Sequence, residues 1–204
     1  MKTPKRRTKE KWIIGVDEVG RGPVAGPVTI CVCACPEGLL KNKKKKHSGV
    51  GDSKKISRLK REKIFMSLRQ DDDLQIALAS VSAGVIDRVG ITKALRMAVG
   101  RGLGRLNLSL DEMEVRLDGR LYAPREYEQM TIVRGDASQW VIGAASIVAK
   151  VHRDARMVRL GKKYPRYGFQ QHKGYGTAKH YREIEEYGLC KEHRTSFLGR
   201  ILLS

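Results

Sequence analysis

Long apolar runs are missing from this chain of 204 residues. No stretch approaches the roughly 20 residues that a membrane-spanning helix requires. The basic opening MKTPKRRTKEK is not followed by the apolar segment of a signal peptide. These absences lead to the expectation of a soluble, cytoplasmic protein with no membrane partner. Cysteine is scarce, four in all. Cys31, Cys33 and Cys35 alternate in CVCAC, which a strand would set on one face, and only Cys190 remains. Zinc sites need wider gaps within each pair and a matching second pair, so buried reduced thiols are expected instead. Acid is the third shortage: 22 Asp and Glu stand against 41 Lys and Arg, a formal charge of +19. That imbalance calls for a polyanionic partner. Nucleic acid ranks ahead of an anionic membrane, because no basic amphipathic helix with exposed aromatics is evident.

What is present suits one globular domain, since hydrophobic residues make up 41% of the chain and the length allows a sizeable core. Residues 1–11 read as a basic flexible arm. WIIGVDEVG and GPVTICVCAC read as two strands joined by a glycine-rich turn. The lysine run LKNKKKKHSGVGD reads as a solvated loop, whose Lys41 and Lys43 to Lys46 would add non-specific DNA affinity. Ser57 is placed to cap a helix running to about Leu68. LQIALASVSAGVI supplies another strand and ITKALRMAVGRGLGRL a helix ending in glycines. EVRLDG and MTIVRGD are further short strands. SQWVIGAASIVAKVHRDARMVRL is the longest helical pattern, and its small residues at 143–146 permit close packing on a sheet. Strands with interleaved helices give an α/β class.

The acids that end apolar runs carry the chemistry. Asp17 and Glu18 close the first strand, Asp118 closes VRL, and Asp136 follows TIVRG. In open α/β sheets, ligand sites gather beyond the carboxyl ends of strands, so all four could meet. Four adjacent carboxylates repel unless cations neutralise them. Hard divalent ions, Mg²⁺ or Mn²⁺, suit an all-oxygen site, and two such ions form a clamp for attack at a phosphodiester. Taken singly, each acid could equally be a turn or cap residue. Asp17 and Glu18 also point to opposite faces of a regular strand, so both can reach one site only if the strand ends or twists there.

GVDEVGRGPVAGPV, DSKKIS, LDG, RGDA…IGAASIVAKVHRD, YGFQQHKGYGT and HRTSF occur in that order. Together they resemble bacterial ribonuclease HII, the type 2 ribonuclease H, across about residues 12–197. The resemblance implies a ribonuclease H-like fold: a five-stranded mixed sheet flanked by helices, with a helical C-terminal region. It makes residues 12–204 one catalytic domain. It implies a monomeric endonuclease using two Mg²⁺ or Mn²⁺ ions during catalysis. Such an enzyme cleaves RNA in RNA–DNA hybrids and incises duplex DNA 5′ to an embedded ribonucleotide, leaving 3′-hydroxyl and 5′-phosphate ends. By motif match, Asp17, Glu18, Asp118 and Asp136 are the catalytic and metal-binding acids. Gly20, Arg21 and Gly22 would read the 2′-hydroxyl, with Tyr175 packed on the sugar and Ser53, Lys54 and Lys55 touching phosphate. Lys150, Arg153 and Arg156 form a helical stripe open to phosphates or water. His172 and His193 suit phosphate contact or structural hydrogen bonds. The rival readings are type 3 ribonuclease H, which normally carries an extra N-terminal domain, and a non-catalytic basic nucleic-acid-binding protein.

Overall fold

The computed structural model describes residues 10–53 and 55–199; the rest of the basic arm and Lys54 lie outside the described residues. Five strands form one mixed sheet in the order β3-β2-β1-β4-β5. They are β1 (Trp12–Val19), β2 (Val28–Pro36), β3 (Gln75–Val81), β4 (Met113–Asp118) and β5 (Gln129–Ile132). The first three are antiparallel neighbours, whereas β4 runs parallel to both β1 and β5. The chain therefore leaves β1 toward one edge and β4 toward the other, and a crevice opens between these two strands at their carboxyl ends.

Both faces of the sheet are covered, which is why β2 is buried at every position and reads as an unbroken apolar run. On one face Ile14, Val16, Ile30 and Val32 pack with Leu95, Ala98 and Val99 of α4 (Ile91–Leu103). On the other, Ile13 and the thiols of Cys31, Cys33 and Cys35 pack under α6 (Trp140–Lys163). The three thiols are free and buried, as expected from the alternation. Remaining helices are α1 (Leu40–Lys46), α2 (Arg58–Arg69), α3 (Ala83–Val89), α5 (Gly135–Ser138), α7 (Phe169–His172) and α8 (Ala178–Tyr187). Among the described residues no helix is long and apolar enough to cross a membrane.

Three boundaries differ from the sequence reading. The lysine run is not a loop: residues 40–46 form α1, and Lys43 is buried. The cause lies 28 residues away, where Asp71 accepts hydrogen bonds from Lys43 (2.6 Å) and Lys46 (2.9 Å) and contacts His47 Nε2 at 2.7 Å. The strand read as LQIALASVSAGVI stops at Val81, and residues 83–89 turn into α3. There Ala83 and Ile86 share the helical i, i+3 spacing and are both buried. The arm also ends earlier, since Lys11 pairs with Glu114 (3.2 Å) and Glu128 (3.5 Å). Ser57 caps α2 as read, its hydroxyl accepting from the Lys60 amide.

Helix α6 lies on β1 with no side chain between them at Gly15, where an added Cβ would overlap the Val141 carbonyl and the Ile142 amide. Backbone cannot yield as a side-chain tip can, so Gly15→Ala should fall at or beyond the upper end of the ~1–3 kcal/mol typical of overpacking. Gly22→Ala, where an added Cβ meets nothing within 4 Å, should be near neutral. Urea unfolding of both variants checks this; equal stabilities would show that α6 adjusts freely.

Candidate active site

The last residue pair joining β1 to β4 is Val16 with Leu117. One step further, Asp17 and Asp118 come level at the mouth of the crevice. Glu18 follows while still within β1 and paired with Ile30 of β2, and its carboxylate nevertheless reaches the same spot. Asp17, Glu18 and Asp118 each offer a carboxylate oxygen within 4.8 Å of the others. Asp136, in α5, lines the same cavity of about 200 Å³, together with Val19, Ser53, Ser146, Lys150 and Tyr175. Its ligand atoms fall outside the three-residue cluster, but its amide lies 3.4 Å from Asp118 Oδ1, which also accepts from the Gly135 amide at 2.7 Å. The α5 turn thus orients Asp118 directly.

Asp17 is buried. Loss of hydration pushes its carboxyl up to about 8, and the charges of Glu18 and Asp118 push the same way. The Ser146 hydroxyl and the Glu18 amide, which donates to Asp17 Oδ1 at 2.7 Å, oppose the shift. A crowded set of acidic oxygens, one held protonated chiefly by burial and further by its neighbours, fits hard divalent cations, whose binding would relieve the repulsion.

The substrate-facing residues named by resemblance divide. Ser53 is buried and its hydroxyl lies within hydrogen-bond distance of Ser146 Oγ, at 2.9 Å. Arg61 fixes that loop by donating to the Ser53 and Ile56 carbonyls. Lys55 is exposed, 4.0 Å from Asp52. Tyr175 is half exposed in the cavity wall. Residues 20–22 continue directly from Glu18 and Val19, and Arg21 reaches back to Glu18 at 3.7 Å.

Arg153 is a correction to the stripe. It is fully buried and donates to the carbonyls of Pro27, Lys173 and Ala25, so it meets neither phosphate nor bulk water. Lys150, one helical turn away, lines the acid cavity and pairs with Asp154 at 2.9 Å. Arg194, unremarked in the sequence apart from its HRTSF motif, is also fully buried. It donates to the carbonyls of Gly20 (2.6 Å), Arg21 (3.0 Å) and Gly26 (3.0 Å). Ser146 was likewise missed, its place among small residues suggesting only packing.

The histidines are structural. The Cys190 amide donates to His193 Nδ1, so His193 carries its proton on Nε2 and donates it to His180 Nε2, 3.1 Å away. His180 in turn donates from Nδ1 to the Tyr175 carbonyl at 2.9 Å. His172 accepts from the Gly174 amide and donates to the Tyr167 carbonyl. This chain of rings ties the Tyr175 segment to the Arg194 segment.

A five-stranded mixed sheet with carboxylates gathered at its central crevice defines a metal-dependent nuclease of the ribonuclease H-like class. The family model for ribonuclease HII matches residues 14–200. Ribonuclease HII of Bacillus mycoides is 41% identical over 186 residues, covering 91% of this chain and 68% of that protein. The enzyme of Shouchella clausii is 40% identical over 188 residues with the same coverage. Among solved structures, ribonuclease H2 of Pyrococcus horikoshii superposes with a TM-score of 0.74 at 27% identity, covering 95% of this chain and 100% of that one. A Bst-RNase HIII structure in complex with Mn²⁺ matches at TM-score 0.68 but 18% identity, covering 88% of this chain and 63% of that one, a likeness of fold alone. The chain belongs to the ribonuclease HII family, and it is a metal-dependent hydrolase with ribonuclease H activity on nucleic acid.

The Asp17 shift has a definite sign in stability. Its folded pKa, about 8, lies above the ordinary 3.8, so the native state keeps this proton longer. The favourable contribution is complete below about pH 4 and is lost as pH rises toward 8. Metal-free Asp17→Asn should therefore gain on the wild type steadily between pH 5 and 8.5. Urea unfolding with a chelator present measures it, and a pH-independent difference would remove Asp17 from this role.

Proposed function

We propose that this protein is an endonuclease that cleaves the RNA strand of RNA–DNA hybrids and incises duplex DNA on the 5′ side of an embedded ribonucleotide, leaving 3′-hydroxyl and 5′-phosphate ends. Residues 12–204 act as one catalytic domain, working as a monomer in the cytoplasm. The observation that carries this reading is the meeting of Asp17, Glu18 and Asp118 in one cavity with Asp136 and Tyr175 in its wall.

Asp17, Glu18, Asp118 and Asp136 are the residues that would hold two Mg²⁺ or Mn²⁺ ions. When bound there, such ions activate the attacking water and offset charge on the phosphate. The protein's own groups do the positioning. The Gly135 and Asp136 amides hold Asp118 in one orientation, and the Glu18 amide does the same for Asp17. Ser53, Lys54 and Lys55 contact phosphate. Tyr175 offers an exposed ring to a sugar, and residues 20–22 offer main-chain groups to the 2′-hydroxyl, which distinguishes RNA from DNA. Arg194 supports the last role: its fork occupies the carbonyls of Gly20 and Arg21 from inside the protein, so the outer side of the turn stays open to a ligand.

Asp118→Asn should abolish metal-dependent incision of a duplex carrying one ribonucleotide while the protein stays folded; near-normal turnover would remove it from the acid set. Gly22→Val tests the turn cleanly, because a Cβ there meets nothing within 4 Å and the fold has room for it. That variant should lose incision yet keep metal binding by calorimetry. Tyr175→Ala should lose more activity than Tyr175→Phe, which keeps the ring. Wild-type incision by Gly22→Val would mean that another element reads the ribose.

A further inference from the structure

We propose that α1 is a pre-oriented duplex clamp, a helix whose outer lysines grip backbone phosphates on the Asp136 side of the acid cluster. The inference rests on the nucleic-acid reading of the site and adds a contact that the acids and the ribose-reading turn do not provide.

The lysine run divides into two sets. Lys43 and Lys46 turn inward onto Asp71, and Lys43 also reaches Asp73 at 2.5 Å. His47 completes the anchor, its ring held between Ser67 Oγ (2.9 Å) and Asp71 Oδ2 (2.7 Å) and lying 6.0 Å from the Trp140 ring. Lys43 and Asp71 are buried, whereas Lys46 joins the pair from the surface, its side chain 58% exposed. Lys41, Lys44 and Lys45 are exposed, and among the described residues no carboxylate lies within ion-pair distance of them.

Position supplies the second argument. Lys44 and His47 line a cavity of about 220 Å³ whose other wall is Asp136, Ala137, Ser138 and Trp140. Asp136 also lines the cavity of the acid cluster, so the two concavities adjoin through one residue. A phosphodiester strand lying along the acids would continue past Asp136 toward α1. A helix fixed in advance by a buried ion-pair network presents its cations without the ordering cost that a flexible loop would incur on binding.

Replacing Lys41, Lys44 and Lys45 by Gln touches only exposed groups and should leave the fold unchanged. Each phosphate contact contributes about −0.9 to the slope of log K against log salt, so the slope should flatten by about 2.7. Between ~0.05 and ~0.2 M salt, the wild type should then lose about 40-fold more duplex affinity than the triple variant. KM for a duplex with one ribonucleotide should rise while kcat stays unchanged. Asp71→Asn separates orientation from charge, since it raises the net charge by about one unit yet releases the anchor. Weaker duplex binding by folded Asp71→Asn supports the clamp, and tighter binding overturns it. An unchanged salt slope in the triple variant also overturns it, whether those lysines then serve an acidic protein or only solvent. Wild-type incision is measured in parallel: its absence would count against the nuclease reading, whereas incision with an unchanged slope would count against the clamp alone.

Discussion

The contact between Gly15 and the first turn of α6 is the constraint from which the active-site geometry follows. A strand and a helix normally stand apart by the thickness of their side chains. Here the helix backbone rests on the strand backbone, and two residues further along β1 the side chain of Asp17 emerges beneath the same helix. Its neighbour there is Ser146, small enough to fit and polar enough to stabilise the carboxylate. The run of Gly143, Ala144, Ala145 and Ser146 extends the same close approach. A larger residue at either surface would lift α6, uncover Asp17 and draw Ser53 away from the wall it forms with Ser146.

A second device fixes the turn after β1. Arg153 and Arg194 are buried cations with no carboxylate partner among the described residues, each held by three main-chain carbonyls. Burial lowers both to about 10, and the charge of Arg153 presses further on Arg194, so both stay charged at neutral pH. Gly20, at φ +85°, packs where a Cβ would strike the Arg153 guanidinium; glycine is required there for space as well as conformation. The carbonyls come from the turn itself, the Gly26 segment and Lys173. One pair of side chains therefore sets the turn, Tyr175's segment and the C-terminal return in fixed relation. Asp87 reinforces that return by accepting from the amides of Thr195 and Ser196.

Much of this was legible in the sequence because its signals are local. Alternation in CVCAC, the Ser57 cap, the acids closing apolar runs and the small residues of α6 each imply a structure within a few positions. Failures came where a distant partner decides. Nothing in KNKKKK announces Asp71, and without that carboxylate a lysine run is properly read as solvated. Arg153 sits at helical spacing from Lys150 and Arg156, so its burial depends on carbonyls of residues 25, 27 and 173. The apparent obstacle of adjacent Asp17 and Glu18 dissolved for a related reason: β1 outruns its pairing with β4 by a few residues, a fact of register that no single-strand pattern contains.

The surplus of 19 positive charges accordingly overstates the surface available to a polyanion. Two of those charges, Arg153 and Arg194, are fully buried and held by main-chain carbonyls. What remains outside surrounds a pocket of opposite sign. If the proposed substrate is right, long-range attraction brings a duplex to the protein, while the acid cluster repels the phosphate that must enter it. Divalent cations reverse that local sign without altering the wider field. On the proposed reading, a metal-free molecule holds nucleic acid broadly and keeps the scissile phosphate away from Asp17 and Asp118. Metal dependence then belongs to admission of the substrate as well as to the chemistry performed on it.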